Sequence, residues 1–489
     1  MLIEILKRSD VRDFLSSTFI VLFGSICLIL IARDEFTVSS SSTCTFALLL
    51  VASSFSGYFF QIIGMPPLLG SLISGITLQN SLGSTFYLAP EFNDAVRTIG
   101  LCTILLISAV EIDVYAVKRA GGASLRLTFL PGLVEAITVA GAACWLFRMP
   151  FTFALSLGFM LAAVSPAVVV PGMLNLQHLG YGMEKGIPSL VMAAASLDDI
   201  SAITGFTISI GLAMDQGSET HPAFSAFIHG PVTLFLGIAS GCIGGMVLAL
   251  TRFCNESWQR SVIAIELGLL MTYGFKAIHF DGCGAVATLV TGGAANLIWK
   301  QNRFVELTQC ADDGYLDEIG HHINTLWDLF VRPLLFGTIG TALNMSLIPK
   351  ATIFQSCCIV VIGLCARLPI AYAAVYGHGL TSKERLFVSC SWVGKATVQA
   401  ALCSLPLSMI KKIFSESNNL EQLLVWGTEM MSTAILAIII TAPTGLLMIQ
   451  FLAPFLLTET KHESKSTTKC TTPRDQAIIE KKEESTITP

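Results

Sequence analysis

From Ile187 to Met214 the chain reads IPSLVMAAASLDDISAITGFTISIGLAM, an apolar stretch with two adjacent acids, Asp198 and Asp199, near its centre. A helix spans a bilayer with about 20 such residues. One carboxylate at the bilayer centre costs roughly 2.5–3.5 kcal/mol on insertion scales, and a second beside it adds like-charge repulsion. The stretch therefore cannot face lipid on all sides. Other helices must enclose it and turn the acids toward water, a cation or a proton path. A bundle of membrane helices around an internal polar site is the architecture this demands.

The rest of the chain agrees. Of 489 residues, 53% are hydrophobic and only 13% charged, against about 25% charged in soluble domains. The net charge of -5 gives nucleic acid no purchase. Most of the 14 cysteines lie in apolar runs, such as Cys102, Cys144, Cys357 and Cys358, where they act as small apolar residues. No Cys-x-x-Cys pair accompanies histidines at zinc spacing. Near the start, Lys7, Arg8 and Arg12 precede the apolar run Phe14–Ala32. That run outlasts the core of a signal peptide, and no small-residue cleavage site follows it. It reads as a first membrane helix.

Hydropathy predicts an all-α polytopic membrane protein with about 14 transmembrane helices. They fall near 14–33, 44–63, 66–82, 95–113, 124–147, 151–175, 186–213, 222–251, 260–277, 281–298, 322–345, 351–377, 385–408 and 422–456. The segment 300–320 reads as a polar loop with a short interfacial helix, and 458–489 as a disordered tail. Basic residues gather on alternate segments, at the N-terminus, around Lys118, Arg119 and Arg126, and in the tail. The positive-inside rule then puts both termini in the cytoplasm. The sequon at 255–257 falls on that side and stays unglycosylated.

Seven further charges lie within these spans: Glu135, Glu266, Asp328, Arg332, Arg367, Lys395 and Glu429. Glu266, Asp328 and Arg332 suit snorkelling near span ends, and Asp328 with Arg332 has the spacing of an intrahelical pair. Glu135 and Arg367 sit mid-span with no opposite charge within a turn. Either they pair with each other, or each faces a water-filled vestibule. The interval from Glu135 to Ser165 nearly equals that from Arg367 to Lys395, and Glu135 to Asp198 nearly equals Arg367 to Glu429. With an odd number of spans between them, the copies are inverted, as in secondary transporters.

Two segments look broken in mid-membrane. FMLAAVSPAVVVPGML carries Pro166 and Pro171, and VSCSWVGKATVQAALCSLP carries Gly394 beside Lys395. Proline removes a backbone donor, and unwound backbone at that depth survives only in protein or along a cavity. Lys395 and the Asp pair are placed to offset the partial charges of the half-helix ends.

The strings at 162–174 (AAVSPAVVVPGML), 180–206 (GYGMEKGIPSLVMAAASLDDISAITGF), 332–340 (RPLLFGTIG) and 391–402 (SWVGKATVQAAL) resemble cation/proton antiporters of the NhaA fold. The likeness is strongest to the animal sodium/hydrogen exchanger-like group, solute carrier family 9 subfamily B. It implies inverted repeats with two crossing broken helices. By position it implies that Asp198 and Asp199 bind Na+ (or Li+) and exchange protons. Ser165 and Val164 would approach the ion from the first crossing segment, and Lys395 and Thr397 from the second. Arg367 and Glu135 would be a facing pair, with no cofactor and a homodimeric assembly in membrane lipid. One departure stands out, since Val393-Gly394 precedes Lys395 where the family usually has proline before the lysine.

The resulting units are 1–43, an N-terminal segment with the first membrane helix; 44–213, a first repeat with the Asp pair; 214–259, a linking helix; 260–457, the second, inverted repeat; and 458–489, the tail. The host is the plasma membrane or an organelle membrane. Within the active pair, Asp199 is expected to be the main ligand and Asp198 its assistant. Potassium/proton antiport and organic-anion transport remain alternatives on this fold. A membrane-embedded hydrolase using the Asp pair or a His321-His322 metal site, a channel and a receptor are the other classes.

Overall fold

The computed structural model describes residues 42–83, 86, 88–111, 121–215, 223–251, 257–278, 281–300, 315–343, 349–414 and 419–459. The expected first span at 14–33, the polar loop over 301–314, Lys118 and Arg119, most of the sequon and the tail beyond 459 lie outside them. The described chain is nearly all helix, with an isolated β-bridge between Tyr181 and Glu459. In order come α1 (Ser42–Ile62), α2 (Pro67–Leu82), α3 (Pro90–Glu111), α4 (Gly122–Leu146), α5 (Phe151–Ala162), α6 (Pro166–His178) and α7 (Ile187–Asp215). Then follow α8 (Ala223–Leu250), α9 (Ser257–Ala277), α10 (Asp281–Lys300), α11 (Tyr315–Leu326), α12 (Arg332–Thr341) and α13 (Lys350–Ala374). The last are α14 (Ser382–Ser391), α15 (Thr397–Leu402), α16 (Leu405–Ile413) and α17 (Leu420–Leu456).

Among the described residues, seven segments are long and apolar enough to cross a membrane, the broken run Phe151–His178 among them. That run has 83% of its most apolar window buried, against 33% for Lys350–Ala374. The crossing segment therefore lies inside protein while α13 shows one side to its surroundings. Around it pack α4, α7, α15 and α17, while α13 packs on α4, α14 and α17; α1 to α3 pack with α12, and α8 with α10.

Proline position decides where helices break. Pro166 is the first residue of α6, where its missing N–H is no loss. Residues 163–165 between α5 and α6 include extended backbone at Ala163 and Ser165. Pro171 does not break α6, nor do Pro131, Pro369, Pro443 and Pro454 break their helices. Ahead of α12 lies a π-helical turn, Trp327–Val331. There the Arg332 N–H reaches back five residues to the Trp327 carbonyl, and Pro333 follows with no N–H to give.

The second break spans 392–396 and ends at Ala396, with φ -160° and ψ -63°. It touches the first break directly, because the Ser165 N–H donates to the Gly394 carbonyl at 2.9 Å. Glycine at 394 and at 445 permits this. A Cβ built on Gly445 of α17 would stand 2.7 Å from the Gly394 Cα and 2.8 Å from its nitrogen.

Candidate functional site

The C-terminal end of α5 is a run of carbonyls that no further helix turn can satisfy. Every carbonyl from Met160 to Ala163 takes a donor from the second half of the chain instead. Gln399 Nε2 donates to the Met160 and Ala163 carbonyls at 3.0 and 2.9 Å. Lys395 Nζ donates to Leu161, and Arg367 Nη1 to Ala162. Two of these donors are cations, placed where the helix dipole is negative.

The same cations meet two acids. Arg367 Nη1 pairs with Glu135 Oε2, and Arg367 Nη2 with Asp198 Oδ2 at 3.1 Å. Lys395 Nζ pairs with Glu135 Oε1 at 2.7 Å. Asp198 Oδ2 also accepts the Val164 N–H at 2.8 Å, which fixes its carboxylate against the first crossing. Small residues make room: Gly132 of α4 faces Asp198, and Gly363 of α13 faces Glu135. All four charged side chains are essentially buried, at 0–1% exposure.

Asp199 is the exception. It is fully buried, yet among the described residues neither carboxylate oxygen has a hydrogen-bond partner; Asp198 Oδ1 also lacks one there. Its neighbour in sequence is held and it is not. Adjacent helical positions point about 100° apart, so they enter different surroundings.

The hydroxyls of Ser165 and Thr397 join the crossings, 3.2 Å apart, and the Thr397 N–H donates to Ser165 Oγ at 3.3 Å. Lys395 is held by its backbone as well, its N–H donating to Thr441 Oγ1 of α17 at 3.1 Å. Thus Glu135, Arg367, Lys395 and Asp198 form one network, with Val164, Ser165, Thr397 and Asp199 at its edge. The vestibule reading for Glu135 and Arg367 gives way to their mutual pairing.

Other charges stay apart. Glu429 lies twelve positions before Thr441 on α17, about 18 Å along the axis. Asp328 and Arg332 pair with each other at the π-helical turn, and Glu266 is exposed. His321 and His322 are exposed, with rings 6.1 Å apart, and no group of three or more His, Cys, Asp or Glu among the described residues gathers as for a metal. Gln399 and Thr441 carry no charge, so neither stands out in the sequence. The available signal for Gln399 was its place one turn after Lys395, inside an apolar run.

Residues 45–453 match the family model described as "Sodium/hydrogen exchanger, transmembrane". The chain belongs to the sodium/hydrogen exchanger family. Among its relatives is sodium/hydrogen exchanger 9B2 of Pongo abelii, 34% identical over 82% of this chain and 71% of that protein. Sodium/hydrogen exchanger 9B1 of Macaca fascicularis is 32% identical over 80% of this chain and 73% of that one. The structure of the sodium proton antiporter MjNhaP1 from Methanocaldococcus jannaschii has the same fold, with a TM-score of 0.64 over 84% of this chain and 98% of that one at 17% identity. Membership makes the chain an integral membrane protein of a transporter family rather than an enzyme.

Proposed function

We propose that the chain is a secondary active antiporter that exchanges Na+ (or Li+) for H+ by alternating access at Asp198 and Asp199. The observation that carries this reading is a charge imbalance in the buried cluster. Glu135 and Asp198 are answered by Arg367 and Lys395, which leaves Asp199 as one acid in excess. An ionised carboxylate buried without a partner is strongly unfavourable. Asp199 therefore carries either a proton or a small cation, and not both. Arg367 does not deprotonate, so it is a fixed charge and does not carry the exchangeable proton. Asp199 is the main ligand and Asp198 its assistant. Val164, Ser165 and Thr397 supply oxygens beside it, and no cofactor takes part beyond the two transported ions.

In the membrane this reading takes about 14 spans arranged as the repeats 44–213 and 260–457. The linker is 214–259, the units 1–43 and 458–489 flank them, and both termini are cytoplasmic. A homodimer surrounded by lipid, in the plasma membrane or an organelle membrane, completes it.

The test is dequenching of a pH dye by added cation in proteoliposomes of the purified protein. Asp199→Asn is expected to abolish exchange. Raising the proton concentration is expected to raise the apparent KM for Na+ while leaving the maximal rate unchanged. Sodium/proton exchange retained in Asp199→Asn overturns the assignment. A response to K+ but not to Na+ or Li+ moves it to potassium/proton antiport.

A further inference from the structure

At one end of the bundle, the start of α4, the chain just past α13 and the start of α14 meet in a corner that ion exchange does not use. Arg126 of α4 donates to the Tyr376 carbonyl at 2.9 Å and to the Gly122 carbonyl at 3.1 Å. Arg385 of α14 lies over the rings of Tyr372 and Tyr376, 4.8 and 5.1 Å from their centroids, and donates to Ser382 Oγ at 3.2 Å. Neither guanidinium has a carboxylate partner among the described residues. Arg385 Nε is buried with no acceptor among the described residues.

Glu384, the acid beside Arg385, is already engaged. It pairs with Lys185 at 2.7 Å and accepts the Thr381 N–H at 2.6 Å, closing a capping box. Lys383 is exposed. Beside the Lys185–Glu384 pair, the corner thus holds three further cations, Arg126, Arg385 and Lys383.

Apolar side chains adjoin it on one side. Leu125 and Phe129, one turn apart on α4, are each 51% exposed, and Tyr376 is 67% exposed. A tyrosine between exposed apolar residues and unpaired basic ones marks a membrane–water boundary. Arginine's planar fork binds phosphate through paired N–H donors. This end is also the one assigned above to the cytoplasm, the side whose leaflet carries anionic lipid.

We propose that this corner binds the phosphorylated headgroup of an anionic lipid between Arg126, Arg385 and Lys383, with an acyl chain along Leu125 and Phe129. The three helices it joins carry Glu135 (α4), Arg367 (α13) and the approach to Lys395 (α14). Lipid bound there braces the elements that hold the buried charges.

The test uses the full chain in phosphatidylcholine, with and without phosphatidylinositol monophosphate. Retained lipid is read by native mass spectrometry and stability by the unfolding midpoint, both independent of which ion is carried. The anionic lipid is expected to raise the midpoint of the wild type. Arg126→Gln/Arg385→Gln should weaken its binding about thirtyfold, and Lys383→Gln about fivefold. Lys383→Gln alters neither ring contact nor carbonyl bond, so it decides the matter if the double variant fails to fold. Soluble inositol phosphate should give no more than a small part of the shift. Wild-type lipid binding by Lys383→Gln and by a folded double variant overturns the proposal, as does a full shift from soluble inositol phosphate alone.

Discussion

Among the described residues, Glu135 is the acid that touches both Arg367 and Lys395, which makes its removal informative. In Glu135→Gln the carboxamide keeps the shape, but among the described residues Lys395 loses its acid partner and Arg367 keeps Asp198 alone. Truncating one member of a buried ion pair costs about 3–5 kcal/mol, mostly because the remaining charge is left bare. Lys395→Gln is milder, since Glu135 still has Arg367; the loss is a hydrogen bond to a charged group and one to the Leu161 carbonyl, about 2–4 kcal/mol together. If charge balance governs the cluster, the double variant removes one acid and one base and leaves Arg367 facing Asp198. Its cost should then fall short of the sum of the single costs by about 0.5–3 kcal/mol, the range seen for directly interacting residues. The assay is the unfolding midpoint of purified protein, followed by tryptophan fluorescence for the wild type, both single variants and the double. Strictly additive shifts would refute the reasoning, because they would mean that Glu135 and Lys395 do not sense each other's charge.

Two other changes probe the crossing. Gly445→Ala drives a methyl into the Gly394 backbone at under 3 Å, and overpacking of this kind costs about 1–3 kcal/mol. The variant should show a lower unfolding midpoint and slower exchange, and a wild-type midpoint would count against the close approach. Gln399→Met keeps the volume but strands the Met160 and Ala163 carbonyls, at about 1–3 kcal/mol for each unsatisfied group. It is expected to raise the KM for Na+ more than it lowers the maximal rate, because the carbonyl run leads into Val164 and Ser165. Unchanged cation KM would reduce Gln399 to a purely structural tie.

The sequence reveals what is energetically improbable and hides what is geometrically arranged. Asp198 and Asp199 stand out because charge in an apolar run is expensive, and Glu135 and Arg367 stand out for the same reason. Pro166 marks a real break, but Pro131, Pro171 and Pro443 sit within continuous helices. In a packed bundle, neighbouring helices satisfy the freed groups, so proline alone does not locate an unwound segment. The link from Lys395 to Glu135 was illegible because it depends on how two broken segments cross. Glu429, a candidate counterpart of Asp198 by spacing, stays outside the cluster, whereas Lys395 enters it. Gly445 gave no signal at all, because its role is to lack a side chain beside another glycine.

The separation of the partners along the chain also has a consequence for biosynthesis. Asp198 is made 169 residues before Arg367, and Glu135 precedes Arg367 by 232. At ~5–20 residues per second, the early acids wait roughly 10–45 s in the translocation machinery or the bilayer before their counter-charges emerge. During that interval the first half is an incomplete object with unanswered carboxylates. Nascent chains stalled before Arg367 should therefore be held by insertion factors or degraded, and ribosome release should be what permits the two halves to close on each other.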